Sequence, residues 1–170
     1  MQSNASSVSS PAEPVLHFLC GKIGAGKSTL AARLASRSRT LLISEDAWLA
    51  ALYPGEIREV ADYARCAGRL RQAMGGHVAA LVAAGLSVVL DFPANTRASR
   101  AWLREVAQAA GCRHQLHFLD LPDDVCKARL RARNESGTHP FTTSEAQYDA
   151  ITAYFVAPRD DEGFEIVRHA

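Results

Sequence analysis

Residues 21–28 read Gly21-Lys22-Ile23-Gly24-Ala25-Gly26-Lys27-Ser28, the spacing G-x-x-x-x-G-K-[ST] that cradles phosphate. Three glycines permit backbone angles that side chains forbid, so successive N–H groups can turn inward as an anion nest. The helix that begins after Gly26 adds the positive end of its dipole. Lys27 reaches the outer phosphates, the Ser28 hydroxyl is a ligand for Mg²⁺, and Thr29 follows within the same anion-binding turn. The chemistry that this pattern supports is the binding of nucleotide phosphates.

Two carboxylates have the right position to act beside it. Asp46 follows the apolar run Thr40–Ile43, and Asp91 closes the run Leu86–Leu90. Ligands of open α/β sheets bind beyond the carboxyl ends of the strands, where both carboxylates and the phosphate loop emerge. Asp46 there can take a proton from an acceptor hydroxyl, hold Mg²⁺ through water, or else cap a helix that begins at Ala47. Asp91 is the usual second carboxylate near Mg²⁺. Phe92 stands where mechanical ATPases carry a water-activating Glu, and no guanine-specific N-K-x-D occurs. Asn95, Arg97 and Arg100, just past this strand, are candidates for acceptor contact, with helix capping and surface charge as the alternatives.

A basic helix completes the set. Arg129 and Arg133 share one flank of residues 123–134, and Lys127 and Arg131 share the other, at i, i+4 spacing around the apolar pair Cys126 and Leu130. Such a helix suits a lid that folds over phosphates, with Asn134–Pro140 as its mobile tip.

The elements that must hold these groups alternate. Runs at Val15–Cys20, Thr40–Ile43, Leu86–Asp91, His114–Asp120 and Phe164–Val167 read as strands, and helical spacing fills the intervals. That alternation implies a doubly wound parallel sheet. Residues 56–84 read as largely helical, with a break near Gly75-Gly76, and their arginines as a solvated basic face. Thr142-Thr143-Ser144-Glu145 reads as a capping box, opening a helix that carries Tyr148, Ile151 and Phe155 and ends at Pro158. Residues 1–14 are rich in Ser, Ala and Pro, which predicts a disordered tail before one domain over 15–170.

Composition narrows the functional class. A chain of 170 residues that is 48% hydrophobic and 22% charged has ordinary globular make-up. Net charge is +1, which leaves a nucleic-acid groove without electrostatic support. The apolar runs are too short to span a bilayer. Cys20, Cys66, Cys112 and Cys126 are scattered without C-x-x-C spacing, which predicts reduced thiols and a cytoplasmic location. The histidines of the fourth strand read as structural.

Together these residues resemble the small P-loop kinases and AAA-family ATP-binding proteins grouped with polynucleotide kinase, zeta toxin and chloramphenicol phosphotransferase. Gly21–Ser28 is similar to their phosphate loop, Ser44-Glu45-Asp46 to the segment that bears their acceptor-activating Asp, Asp91–Arg97 to their third-strand acidic loop, and Cys126–Asn134 to their lid helix. Tyr154–Pro158 followed by Asp161-Glu162 is similar to the C-terminal signature of ATP-binding members of the group. The resemblance implies a three-layer P-loop NTPase fold with strand order 2-3-1-4-5 and a short helical lid, and ATP with Mg²⁺ as ligands. It also implies phosphoryl transfer to a hydroxyl of a small molecule or nucleotide. The alternatives are an ATP-binding switch with a protein partner and a kinase of nucleic-acid ends.

Overall fold

The computed structural model describes residues 13–137 and 142–169. In chain order the elements are β1 (Val15–Gly21), α1 (Lys27–Ala35), β2 (Thr40–Ser44), α2 (Glu45–Leu52), α3 (Val60–Ala83), β3 (Ser87–Pro93), α4 (Arg97–Ala110), β4 (Arg113–Leu119), α5 (Asp123–Ser136), α6 (Glu145–Thr152), a single 3₁₀ turn (Asp160–Glu162) and β5 (Glu165–His169). The five strands form one sheet in the order β2-β3-β1-β4-β5, and every pairing is parallel. This is the P-loop NTPase α/β fold.

The inner strands β1, β3 and β4 are buried because helices cover both faces, whereas Leu41 and Leu42 of the edge strand β2 are exposed. On one face α2, α3 and α4 pack through Leu49, Leu70, Met74, Val78 and Leu103 onto Phe18, Val88, Leu90 and Leu116. On the other, α1, α5 and α6 bring Leu30, Leu34, Leu130 and Tyr148 onto Leu19, Val89 and Leu119. At about 1.5–3 kcal/mol for each large side chain removed from water, these two cores supply the main force holding the layers together.

Three expected boundaries move. α3 is continuous through Gly68, Gly75 and Gly76, because Cys66, Leu70, Met74, Val78 and Val82 keep one unbroken stripe buried against the sheet. Each glycine costs about 1 kcal/mol against alanine in a helix interior, and that packing offsets it. The capping box before α6 lies two residues later than expected: Ser144 accepts from Gln147 N, and the Gln147 side chain returns to Ser144 N. α6 then stops at Thr152, short of Phe155 and Pro158. Residues 1–12 of the expected tail lie outside those described, as do residues 138–140 of the expected lid tip.

A row of three histidines crosses the sheet. His17 Nδ1 lies 3.0 Å from His117 Nε2, and His117 Nδ1 lies 3.0 Å from His169 Nε2. Burial above all lowers His17 and His117 from the ordinary 6.5 to about 4.

Candidate nucleotide and acceptor site

The phosphate loop links the end of β1 to the start of α1. Gly24 and Gly26 have φ of +78° and +97°, in the region that side chains rarely enter. At Gly24 space forbids a side chain as well: a Cβ there would sit 2.5 Å from the Cys126 carbonyl oxygen of α5. Ala25 is buried, Ile23 packs against the same core as α5, and Thr29 is exposed on the first turn of α1. The Asn95 side chain, expected to contact an acceptor, instead accepts a hydrogen bond from Gly21 N at 3.0 Å and ties the loop to the end of β3.

Lys27 lies folded into its own loop. Its ammonium donates to the carbonyls of Gly21 at 2.7 Å and Lys22 at 2.9 Å. Burial lowers its pKa, and the neighbouring Asp91 carboxylate opposes that shift. The side chain of Lys22 pairs with Asp123 of α5, which also accepts from the Tyr148 hydroxyl at 3.2 Å.

Asp91 and Asp46 stand at the ends of adjacent strands. Ser44, two residues before Asp46, pairs in register with Asp91. Burial raises the Asp91 pKa, a hydrogen bond from Ser28 and the charge of Lys27 lower it, and Asp46 raises it further. Ser28, Lys27, Asp91 and Asp46 therefore lie within one electrostatic neighbourhood. The Ser28 hydroxyl and Asp91 carboxylate are hard oxygen donors side by side, the donor set that suits Mg²⁺ when phosphates and water complete its shell.

Asp46 does not cap its helix. α2 begins at Glu45, and the Ser44 hydroxyl accepts the capping bond from Ala47 N at 3.4 Å. The side chain of Asp46 is left exposed, without a hydrogen bond or ion pair to another described side chain. Glu45 is its opposite: 1% exposed and bonded to Tyr63 and Arg71 of α3. Arg71, expected on a solvated face, is partly buried in this contact, and its guanidinium lies 5.8 Å from the Trp102 ring. Nothing in local sequence marks that pairing, which spans 26 residues.

The basic residues of α5 divide by flank. Lys127 pairs with Asp149 at 2.7 Å and Arg131 with Glu145, both on α6. Arg129 turns to the phosphate loop, where Nη1 donates to Ala25 O at 3.2 Å. Arg133 keeps a buried Nε without a hydrogen-bond partner.

The expectation of acceptor contact is corrected for Arg100. It is 0% exposed, and its five N–H groups go to both oxygens of Glu162 and to the carbonyls of Ala94, Val156 and Ala157. Four of these donors hold the segment before β5 against α4, and the fifth ties α4 to the residue that follows β3. Arg97 is exposed at the start of α4.

The same architecture recurs in solved structures. A candidate kinase from Chloroflexus aurantiacus superposes with a TM-score of 0.70 at 19% identity, covering 92% of this chain and 85% of that one. The APS kinase CysC of Mycobacterium tuberculosis, in complex with AMPPNP and APS, gives 0.62 at 22%, covering 94% and 89%. Kti12 of Chaetomium thermophilum, in complex with ADP-AlF3, gives 0.66 at 16%, covering 92% and 89%. No curated protein sequence matches the chain. The family profile of the AAA domain AAA_33 matches residues 16–158. Its span runs from the first strand through the phosphate loop, both carboxylates and the basic helix, and the chain belongs to the AAA_33 family of AAA domains.

Proposed function

We propose that the protein is an ATP-dependent phosphotransferase that moves the γ-phosphoryl group to a hydroxyl of a small molecule or nucleotide. The observation that carries this reading is the contrast at the ends of β2 and β3. Asp91 is engaged with Ser28 beside the phosphate loop, whereas Asp46 is exposed and uncommitted one strand away. An exposed carboxylate without a partner at that edge is available to an acceptor hydroxyl. The resemblance of the fold to the APS kinase and to Kti12, recorded with AMPPNP and ADP-AlF3, supports a nucleotide in the loop.

In this reading the acceptor oxygen bonds to the γ-phosphorus as the bond from that phosphorus to the bridging oxygen breaks. ADP leaves with the electron pair, and the hydroxyl proton passes to Asp46. Lys27 and Arg129 flank the loop and supply positive charge where negative charge spreads over the migrating group. Ser28 and Asp91 are the residues that would hold Mg²⁺, which neutralises phosphate charge when bound.

The test pairs two measurements on Asp46→Asn. ATP affinity, by titration, should stay near wild type. Transfer of labelled phosphate to the acceptor returned by a screen of metabolites and nucleic-acid ends should fall by about 10²–10⁴-fold. Undiminished transfer overturns the role of Asp46 and the reading built on it.

A further inference from the structure

Glu45 is a charged group in the wrong place for a surface residue. Its carboxylate lies in the core beside the exposed Asp46, and removing a carboxylate from water is costly unless partners replace the solvent. Two partners do. The Tyr63 hydroxyl donates to one oxygen, and Arg71 Nε and Nη2 reach the other at 3.1 and 3.0 Å. Buried ion pairs of this kind contribute little net stability against well-packed apolar groups, so stability alone is a weak reason for this one.

Its position supplies a better reason. Glu45 is the first residue of α2, so anchoring its side chain to α3 fixes the turn that presents Asp46. The chain of contacts continues from Arg71 to the Trp102 ring, and from Trp102 to Phe92, whose ring centroid is 5.5 Å away. Phe92 follows Asp91. The two carboxylates at the sheet edge thus stand one residue from opposite ends of a single line of packed side chains.

We infer that Glu45 is a positioning residue for Asp46, held by Tyr63 and Arg71 so that the base keeps a fixed offset from Asp91 and Ser28. The inference rests on the phosphotransferase reading. Its scale follows from the sensitivity of such geometry: a displacement of about 1 Å costs on the order of 10²-fold in rate.

The test is a double-mutant cycle on the full chain with Tyr63→Phe and Asp46→Asn. Tyr63→Phe removes one hydroxyl and leaves the Glu45–Arg71 pair. The readouts are ATP affinity, a melting curve and single-turnover release of labelled γ-phosphate from ATP with Mg²⁺, water serving as acceptor. Tyr63→Phe is expected to slow release at least about tenfold, within the ~10²-fold range for misplacement, with ATP affinity unchanged. In the Asp46→Asn background it should change release by less than about twofold, since a residue acting through Asp46 has nothing left to position. Equal losses in both backgrounds, or no loss in the wild-type background, overturn the inference. Glu45→Gln, which keeps shape and the Tyr63 bond, runs through the same cycle and decides the matter if Tyr63→Phe melts early. Undiminished release in Asp46→Asn alone instead overturns the reading beneath it.

Discussion

The Asn95 side-chain oxygen accepts a hydrogen bond from the backbone N–H of Gly21 at 3.0 Å, across 74 residues of sequence. The bond joins the first glycine of the phosphate loop to the segment leaving β3. Asn95→Ala removes the acceptor and leaves a partly buried N–H unsatisfied, a loss of about 1–3 kcal/mol. ATP affinity, measured by calorimetry, should weaken in the variant, whereas a substrate-contact role alone would leave it intact.

Lys27 is the group that nucleotide phosphates should draw from the carbonyls of Gly21 and Lys22. A ligand that binds only the native state raises its stability by mass action, about 2.7 kcal/mol at a hundredfold excess over Kd. Wild-type protein should therefore melt at higher temperature with ATP and Mg²⁺, and Lys27→Ala should lose most of that increment. An equal increment in both proteins would remove the loop from nucleotide binding.

The split of basic residues on α5 predicts unequal consequences. Arg131 and Lys127 are bound to acidic residues of α6, and exposed pairs of this kind contribute about 0–1 kcal/mol. Arg131→Ala should leave phosphate release nearly unchanged. Arg129→Ala, at the loop, should slow release far more than it lowers the melting temperature. Equal rates in Arg129→Ala and wild type would transfer the role to Arg133.

Stability should fall in mild acid through the histidine row. Burial lowers His17, with the Arg37 and Arg113 charges adding and Glu165 opposing. Burial likewise leads for His117, and for His169, where Arg33 adds to it. Each folded value lies below the unfolded 6.5, so the unfolded chain binds more protons between the two. For His17 and His117 the contribution is complete above about pH 6.5 and is lost as pH falls towards about 4, by up to ~1.4 kcal/mol per pH unit per imidazole, and His169 acts in the same direction. Urea midpoints at pH 7 and pH 5 check this, and His117→Gln should flatten the difference. A midpoint that rises on acidification would contradict the sign.

Fold and site differed in how far the sequence showed them. Strands such as Val88–Leu90 are apolar runs because helices cover both faces, so their existence was plain. Their spatial order came from family resemblance, since no spacing encodes which strands are neighbours. The break expected at Gly75 failed because helix propensity is local and the stripe from Cys66 to Val82 is not. The loop and the two strand-end carboxylates were readable because their chemistry depends on residue type and position in a strand. Arg100 and Arg71 were misjudged for the opposite reason. An arginine looks alike on a surface and in a core, and the partners that decide, Glu162 and Glu45, lie 62 and 26 residues away.

The close approach of Gly24 to the Cys126 carbonyl has a mechanical consequence. Loop and helix meet there backbone to backbone, without side-chain padding, and Lys22 with Asp123 fastens the same joint a few residues off. A joint of that kind transmits displacement rather than absorbing it. Any swing of α5 therefore has to drag the phosphate loop with it, so helix and loop move as one piece or not at all.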